Sequence, residues 1–149
     1  MTTVKVASFD SFAAFASADT ADMTVVVNGR PTEWQWIFAG PGHDKTLAQT
    51  ERLSKERLHE GKAIKQAQIN GKKYTVAEET PAEKRKENID YVVERLVGWT
   101  PVVIGGEDYA FSEANARALL SDPKNPDLLT QALEFLFADS SFMKRSATS

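Results

Sequence analysis

The chain has 149 residues, 42% of them hydrophobic, which is enough apolar material to bury the core of one compact domain. The absence of cysteine excludes disulfides and thiolate metal sites, and the net charge of −3 argues against general nucleic-acid binding. No stretch approaches the roughly 20 apolar residues that cross a bilayer, so we expect no membrane association.

The first predicted element is a β-hairpin in the stretch MTVVVNGRPTEWQWIF. Asn28 and Gly29 readily adopt the positive φ angles of a tight turn, and they lie between the apolar run 23–27 and an alternating aromatic strand. Trp34 and Trp36 fall on the same face of that second strand. Paired tryptophans could form a ligand platform, but we interpret them as a core or subunit-contact face.

The middle segment, 44–78, is polar and begins after the strand-breaking sequence AGPGHDKT. A helix over 45–60 is predicted because this run is rich in helix formers, and Glu51 and Lys55 have the i, i+4 spacing of an ion pair. Its apolar residues are sparse. We therefore expect this helix to lie on the surface or to bind a partner protein.

The end of this segment allows two interpretations. Gly61 predicts the end of the helix, and the Asn-Gly pair in AQINGKKYTV could then form the turn of a second hairpin. Continuation of the helix to about Ile69 is the competing interpretation. Over 44–73, eight Lys or Arg residues outnumber four Asp or Glu residues, and we interpret this basic character as a solvated helix face.

A helix over 81–97 has the clearest start signal, since Thr80, Pro81 and Glu83 form a capping box. Its apolar residues recur at spacings of three and four, and Gly98 is its expected end.

The last third of the chain predicts a short hairpin and two helices. A Gly-Gly turn joins strands at 102–104 and 109–111. Ser112 caps a helix over 113–121, and an Asn-Pro pair starts a final helix over 126–138.

Together these elements predict an α+β fold. One domain, 1–138, contains short β-hairpins packed against several α-helices, with 44–78 as a polar insertion that is either an extended helix or a hairpin. Residues 139–149 are expected to form a flexible C-terminal tail. The predicted core contains Trp99, Ile89, Val93, Leu96, Leu119, Leu133 and Leu136.

The sequence contains no recognisable catalytic or metal-binding constellation. His43 and His59 are separated by sixteen positions, and Ser112 is explained as a helix cap. Glu107 and Asp108 are adjacent, so on a strand they point to opposite faces. We therefore expect no enzymatic activity, no cofactor and no metal ion.

Four motifs, in this order, resemble the tail assembly chaperone proteins of long-tailed bacteriophages and prophages. They are FAGPGHDKT after an aromatic strand, INGKKY, LVGWTPVVIGGEDYAFSEANARALLSDP and the closing FLFADSSFMKRS, and the resemblance covers about 36–145. It implies a non-enzymatic factor of the host-cell cytoplasm that binds the phage tape measure protein and helps to recruit tail tube protein. Self-association is compatible with that activity.

Two other functions stay open, namely a structural virion tail component and a phage-encoded inhibitor of a host defence protein. For a chaperone, we expect the partner to bind the sparse, basic helix near 45–60, where apolar residues have few contacts and cations could steer an acidic segment. An aromatic residue of the tail could add a second contact. The predicted partner-binding residues are Leu47, Arg52, Leu53, Lys55, Arg57, Leu58 and Phe142.

Overall fold

The computed structural model describes residues 6–16, 18–72 and 79–142, and in these ranges it has the predicted α+β fold. The helices are α1 (Asp44–Ile69), α2 (Pro81–Arg95), α3 (Glu113–Ser121) and α4 (Pro126–Phe137). The strands are β1 (Thr20–Val27), β2 (Arg30–Ala39), β3 (Leu96–Trp99), β4 (Val103–Ile104) and β5 (Glu107–Asp108). Short 3-10 helices occupy Phe12–Phe15 and Asp139–Phe142.

The predicted N-terminal hairpin forms two strands of the larger sheet, whose order is β1-β2-β3 with antiparallel pairing. Asn28 and Gly29 have φ angles of 53° and 75°, which confirms the tight turn. The register shifts between Thr24 and Val26. There, the side-chain amide of Gln131 on α4 bonds both the N–H and the carbonyl of Val26, at 2.8 and 2.7 Å. This pair of hydrogen bonds anchors α4 to the sheet.

Predicted helix caps are confirmed at two helices. The Thr80 hydroxyl accepts a hydrogen bond from the Glu83 N–H at 3.2 Å, and the Ser112 hydroxyl accepts one from the Asn115 N–H at 3.0 Å. Asn125, before α4, makes no side-chain cap bond. Proline at the first position of α4 has no N–H to satisfy, so this helix start needs one capping bond fewer.

The helix predicted over 81–97 ends at Arg95, and the residues after it form β3. Gly98 therefore lies within a strand, and its predicted role as a helix cap is wrong. The reason is tertiary, because pairing with β2 satisfies the backbone of this apolar run and buries both Leu96 and Trp99.

The first helix, α1, is longer than predicted. It contains 26 residues, begins after His43 and continues through Gly61 to Ile69. The interpretation of a continued helix is thus correct. The alternative prediction, a second hairpin, is wrong for its first strand, because the residues before Asn70 are helical. The predicted second strand lies outside the described residues.

The core lies between the inner face of the larger sheet and the helices packed on it. Trp36 and Phe38 are completely buried on the sheet side, and Val92 and Leu120 are completely buried on the helix side. The Trp36 and Trp99 rings stack with their centroids 5.4 Å apart. Trp36 is therefore core, and Trp34 is partly buried against it, which agrees with the interpretation of the pair as a core or subunit-contact face.

Most of the predicted core is confirmed, with two exceptions. Leu119 and Leu133 are only partly buried and pack against the edge of the core. The confirmed core residues are Ile89, Val93, Leu96, Trp99 and Leu136.

The residues predicted to start a flexible tail belong to the fold. Phe142 is 6% exposed, its ring lies 5.7 Å from that of Phe135, and its carbonyl accepts a hydrogen bond from the Ala18 N–H at 2.9 Å. The tail prediction is therefore wrong up to Phe142, because this aromatic side chain fills a place in the core. Residues 143–149 lie outside the described structure.

The β4–β5 hairpin is shorter than predicted and lies on the surface. The turn is closed by Gly105 and Gly106, with φ angles of 63° and 79°. Val103 and Ile104 are exposed, so the predicted packing of this hairpin against the helices is wrong for its tip. Nearer the core, the Tyr109 N–H donates to the Val102 carbonyl at 2.9 Å, and Val102, Tyr109 and Phe111 pack against the core.

Candidate protein-interaction surfaces

The predicted partner-binding residues do not form one surface. Phe142 is buried, so it cannot serve as the exposed contact that the sequence suggested. Arg52 and Leu53 face α2, whereas Leu47 and Leu58 project away from the domain. The structure divides the remaining residues, except Arg57, between a groove beside α2 and the opposite side of α1.

The first surface is the α1–α2 groove, a cavity of about 360 Å³ between these helices and the end of α4. It brings two predicted residues, Arg52 and Leu53, together with side chains that the sequence analysis did not single out. The lining includes Arg52, Leu53, Glu56, Lys84, Tyr91 and Phe137.

Phe137 is the most exposed apolar residue of the groove. Its surface is 66% exposed. The buried positions of this helix are Leu129, Ala132 and Leu136. Phe137 comes directly after Leu136, so its side chain leaves the helix in a different direction, away from the core. Its ring stacks on that of Tyr91 with centroids 5.4 Å apart, so the two aromatic residues form an apolar wall.

Two polar contacts hold the walls of the groove together. Arg52 donates from Nε to Glu94 at 2.9 Å and from Nη2 to the second oxygen of the same carboxylate, and it also donates to Glu56 at 2.8 Å. The buried amide of Gln49 donates to the Tyr91 carbonyl at 3.0 Å. Both contacts link α1 to α2, so they hold the two walls of the groove side by side.

These ion pairs correct the role predicted for Arg52. Its hydrogen bond to Glu94 raises the pKa of the guanidinium above its ordinary value, and its positive charge is matched by two carboxylates. Arg52 thus fastens two helices together and is not a cation available to steer an acidic partner. Glu94 is 42 positions away, so the local sequence pattern could not reveal this pairing.

The second surface is the outer face of α1, which we define by Leu47, Leu58 and Ile69. These side chains are 55%, 64% and 73% exposed. The predicted ion pair between Glu51 and Lys55 lies on the same side, with an N–O distance of 3.2 Å. Several apolar side chains of α1 therefore make little contact with their own domain, as the sequence predicted.

Arg57 belongs to neither surface. It is exposed, and no ion pair involves it within the described ranges.

A third exposed apolar group lies before the sheet. Phe12, in the first 3-10 helix, is 93% exposed, and the rings of Phe9 and Phe15 contact each other at a centroid distance of 4.7 Å. The sequence analysis did not predict this helix.

The groove could be predicted only in part. Its α1 residues were found because a polar helix with isolated leucines suggests a missing partner. Tyr91 and Phe137 were missed because each flanks a buried stripe, and only the packing of α1 on α2 places them side by side. The aromatic character of both residues, next to stripes of aliphatic ones, was the signal that could have identified them.

Over 6–16, 18–72 and 79–142, no three His, Cys, Asp or Glu side chains are grouped closely enough to hold a metal ion. Among the helices described above, none combines the length and apolar character needed to cross a membrane. Comparison of the whole chain with protein-family models, curated proteins and solved structures finds no match.

Proposed function

We propose that the protein is a non-enzymatic phage tail assembly chaperone, acting in the host-cell cytoplasm, that binds the tape measure protein and helps to recruit tail tube subunits. The ordered motifs from FAGPGHDKT to FLFADSSFMKRS support this assignment. The observation that carries it is the α1–α2 groove, a concave surface with an exposed aromatic wall.

The groove suits one turn of an amphipathic helix. A large apolar side chain of the partner would lie against Leu53, Tyr91 and Phe137, while Lys84 and Glu56 would meet polar groups at the rim. Tape measure proteins, as the resemblance implies, are long helical rods with apolar stretches. Such a rod would offer many segments of this kind and would aggregate if they stayed uncovered.

The size of the groove favours weak binding at each segment. A cavity of about 360 Å³ receives one or two side chains, so a single contact buries far less surface than a stable complex does. Many copies bound along one rod would still keep it in solution, because simultaneous binding at many sites raises the overall affinity. Arriving tube subunits could then displace the copies one at a time.

The test is co-expression of the chain with the tape measure protein of the same phage. We expect the tape measure protein to become soluble and to co-elute with the chain. Phe137→Ala should reduce the co-eluting amount several-fold with little change in folding stability, because Phe137 is largely exposed.

Val103→Ala is the matched control, since Val103 is 62% exposed on the distant β4–β5 hairpin. This variant should capture as much tape measure protein as the wild type. Absence of co-elution with the wild-type chain would refute the function. Equal capture by the Phe137 and Val103 variants would refute the groove as the binding site.

One observation favours a structural tail component as the second candidate. Val103 and Ile104 are exposed beside a cavity of about 340 Å³ whose lining includes Trp99, Tyr109 and Phe111. Permanent subunit contacts commonly bury apolar surface of this kind. Mass spectrometry of purified phage particles separates the two functions, because a structural component stays in the particle at a fixed copy number and a chaperone does not.

A further inference from the structure

The apolar residues on the outer face of α1 have a regular spacing. Leu47, Leu58 and Ile69 follow one another at intervals of eleven residues, and all three are more than half exposed. Eleven residues make about three helical turns, so the side chains align along one side of the helix at intervals of about 16.5 Å. The middle residue, Leu58, is equally distant from the other two.

We propose that two copies of this chain pair through the outer face of α1, with the helices antiparallel and Leu58 on the two-fold axis. In this arrangement, each residue before Leu58 lies opposite the residue at the same distance after Leu58 in the second copy. Leu47 then packs against Ile69 of the second copy at both ends, and the two Leu58 side chains meet at the centre. The contact is self-complementary, as a two-fold interface requires.

Charge complementarity selects this orientation. Glu51 lies seven residues before Leu58 and Lys65 lies seven residues after it, so symmetry creates two ion pairs between the copies. A parallel pair in register would instead place Glu51 against Glu51 and Lys65 against Lys65, which is repulsive.

Gly61 is a second, independent observation. A glycine inside a helix is unfavourable relative to alanine, and a Cβ added at Gly61 would meet no atom of its own chain within 4 Å. Packing within the chain therefore does not explain it. In the antiparallel pair, Gly61 lies on the same flank of the contact as Ser54 of the second copy, and the missing side chain lets the two helix backbones approach closely there.

The expected dimer is weak. Leu47 and Ile69 are about 33 Å apart along the helix, and a strip of that length and one helix face in width buries less area than a standard stable interface. Reversible pairing is the consequence, with a monomer and a dimer in exchange. The pairing does not depend on the proposed function. If that function is correct, however, each dimer would carry two α1–α2 grooves and would bind a repetitive rod by avidity.

The test is sedimentation equilibrium of the purified chain, without any tape measure protein, over a wide range of concentrations. We expect a monomer–dimer equilibrium for the wild type. Leu58→Lys should be monomeric throughout, because two ammonium groups would meet at the axis. Val103→Lys, which changes an equally exposed residue outside α1, should dimerise like the wild type.

The charge register provides the sharper test. Lys65→Glu places two carboxylates opposite each other at both ends and should weaken dimerisation by about tenfold or more. The double variant E51K/K65E recreates opposite charges and should restore it. Circular dichroism shows whether each variant keeps its helix content.

A wild-type chain that stays monomeric at every concentration would overturn the pairing and leave the chaperone proposal intact. A dimer that survives Leu58→Lys would overturn it as well. A dimer that Lys65→Glu weakens and E51K/K65E does not restore would overturn the antiparallel register.

Discussion

Arg95 donates two hydrogen bonds to the carbonyl oxygen of Ala39, from Nε at 3.1 Å and from Nη2 at 2.6 Å. The side chain is buried, and the loss of hydration lowers the pKa of its guanidinium below the ordinary value. The guanidinium carbon also lies 5.5 Å from the centre of the Phe142 ring. One cation thus joins the end of α2, the end of β2 and the 3-10 helix at Asp139–Phe142.

Removal of this cation should destabilise the fold. Arg95→Ala deletes both hydrogen bonds and the contact with Phe142, and we expect a loss of about 2 to 4 kcal/mol in a urea unfolding experiment. The control is Arg57→Ala, which removes an exposed arginine and should change the free energy of unfolding by less than about 0.5 kcal/mol. Equal stability of the two variants would show that Arg95 does not hold these elements together.

Gly40 and Gly42 form a matched pair of glycines. A Cβ at Gly40 would lie 2.1 Å from the backbone oxygen of Ala18, whereas a Cβ at Gly42 would meet nothing within 4 Å. Gly40→Ala should therefore force the backbone apart and cost about 1 to 3 kcal/mol, while Gly42→Ala should be close to neutral. Thermal unfolding of both variants measures the difference. A Gly40 variant as stable as the Gly42 variant would mean that the N-terminal segment is not fixed there.

The Arg52–Glu94 contact should stabilise the packing of α1 on α2. Arg52→Glu places a carboxylate beside those of Glu94 and Glu56, and we expect it to reduce the free energy of unfolding by about 1 to 2 kcal/mol. The charge-swapped variant R52E/E94R should recover part of that loss. Arg57→Glu serves as the exposed control. An additive double variant, with no recovery, would show that these two residues are not coupled.

Two leucines of the helical core should differ in their sensitivity. Leu120 is completely buried, and Leu120→Ala should cost about 3 to 5 kcal/mol because it leaves a cavity. Leu133 is only partly buried, so Leu133→Ala should cost clearly less. The order of the two urea midpoints is the decisive result. A larger loss at Leu133 would contradict the packing described here.

Local signals predicted the fold well wherever neighbouring residues decide the structure. The turn at Asn28–Gly29 and the cap at Ser112 depend on residues within one turn of each other, and both are confirmed. β3 depends on a distant partner. The run LVGW continues the helical periodicity of α2, and only its pairing with β2 makes it a strand.

The interaction surfaces, too, could be predicted only where residues close together in the sequence decide the structure. Sparse leucines predicted that α1 leaves apolar side chains uncovered, and Leu47 and Leu58 are indeed exposed. The sequence could not show that Glu94 neutralises Arg52, because that carboxylate lies on another helix. Nor could it show that Phe142 returns to the core, where its neighbours are Phe135 and Arg95.

Site-specific photo-crosslinking in cells is the sharpest test of the proposal that the α1–α2 groove receives the tape measure protein. A photoreactive amino acid replaces Phe137 in one strain and Val103 in another, and both strains produce the tape measure protein. Both positions are more than 60% exposed, so accessibility to the label is similar. We predict a covalent adduct with the tape measure protein from position 137 and none from position 103. No adduct at position 137, or equal adducts at both positions, would contradict the claim.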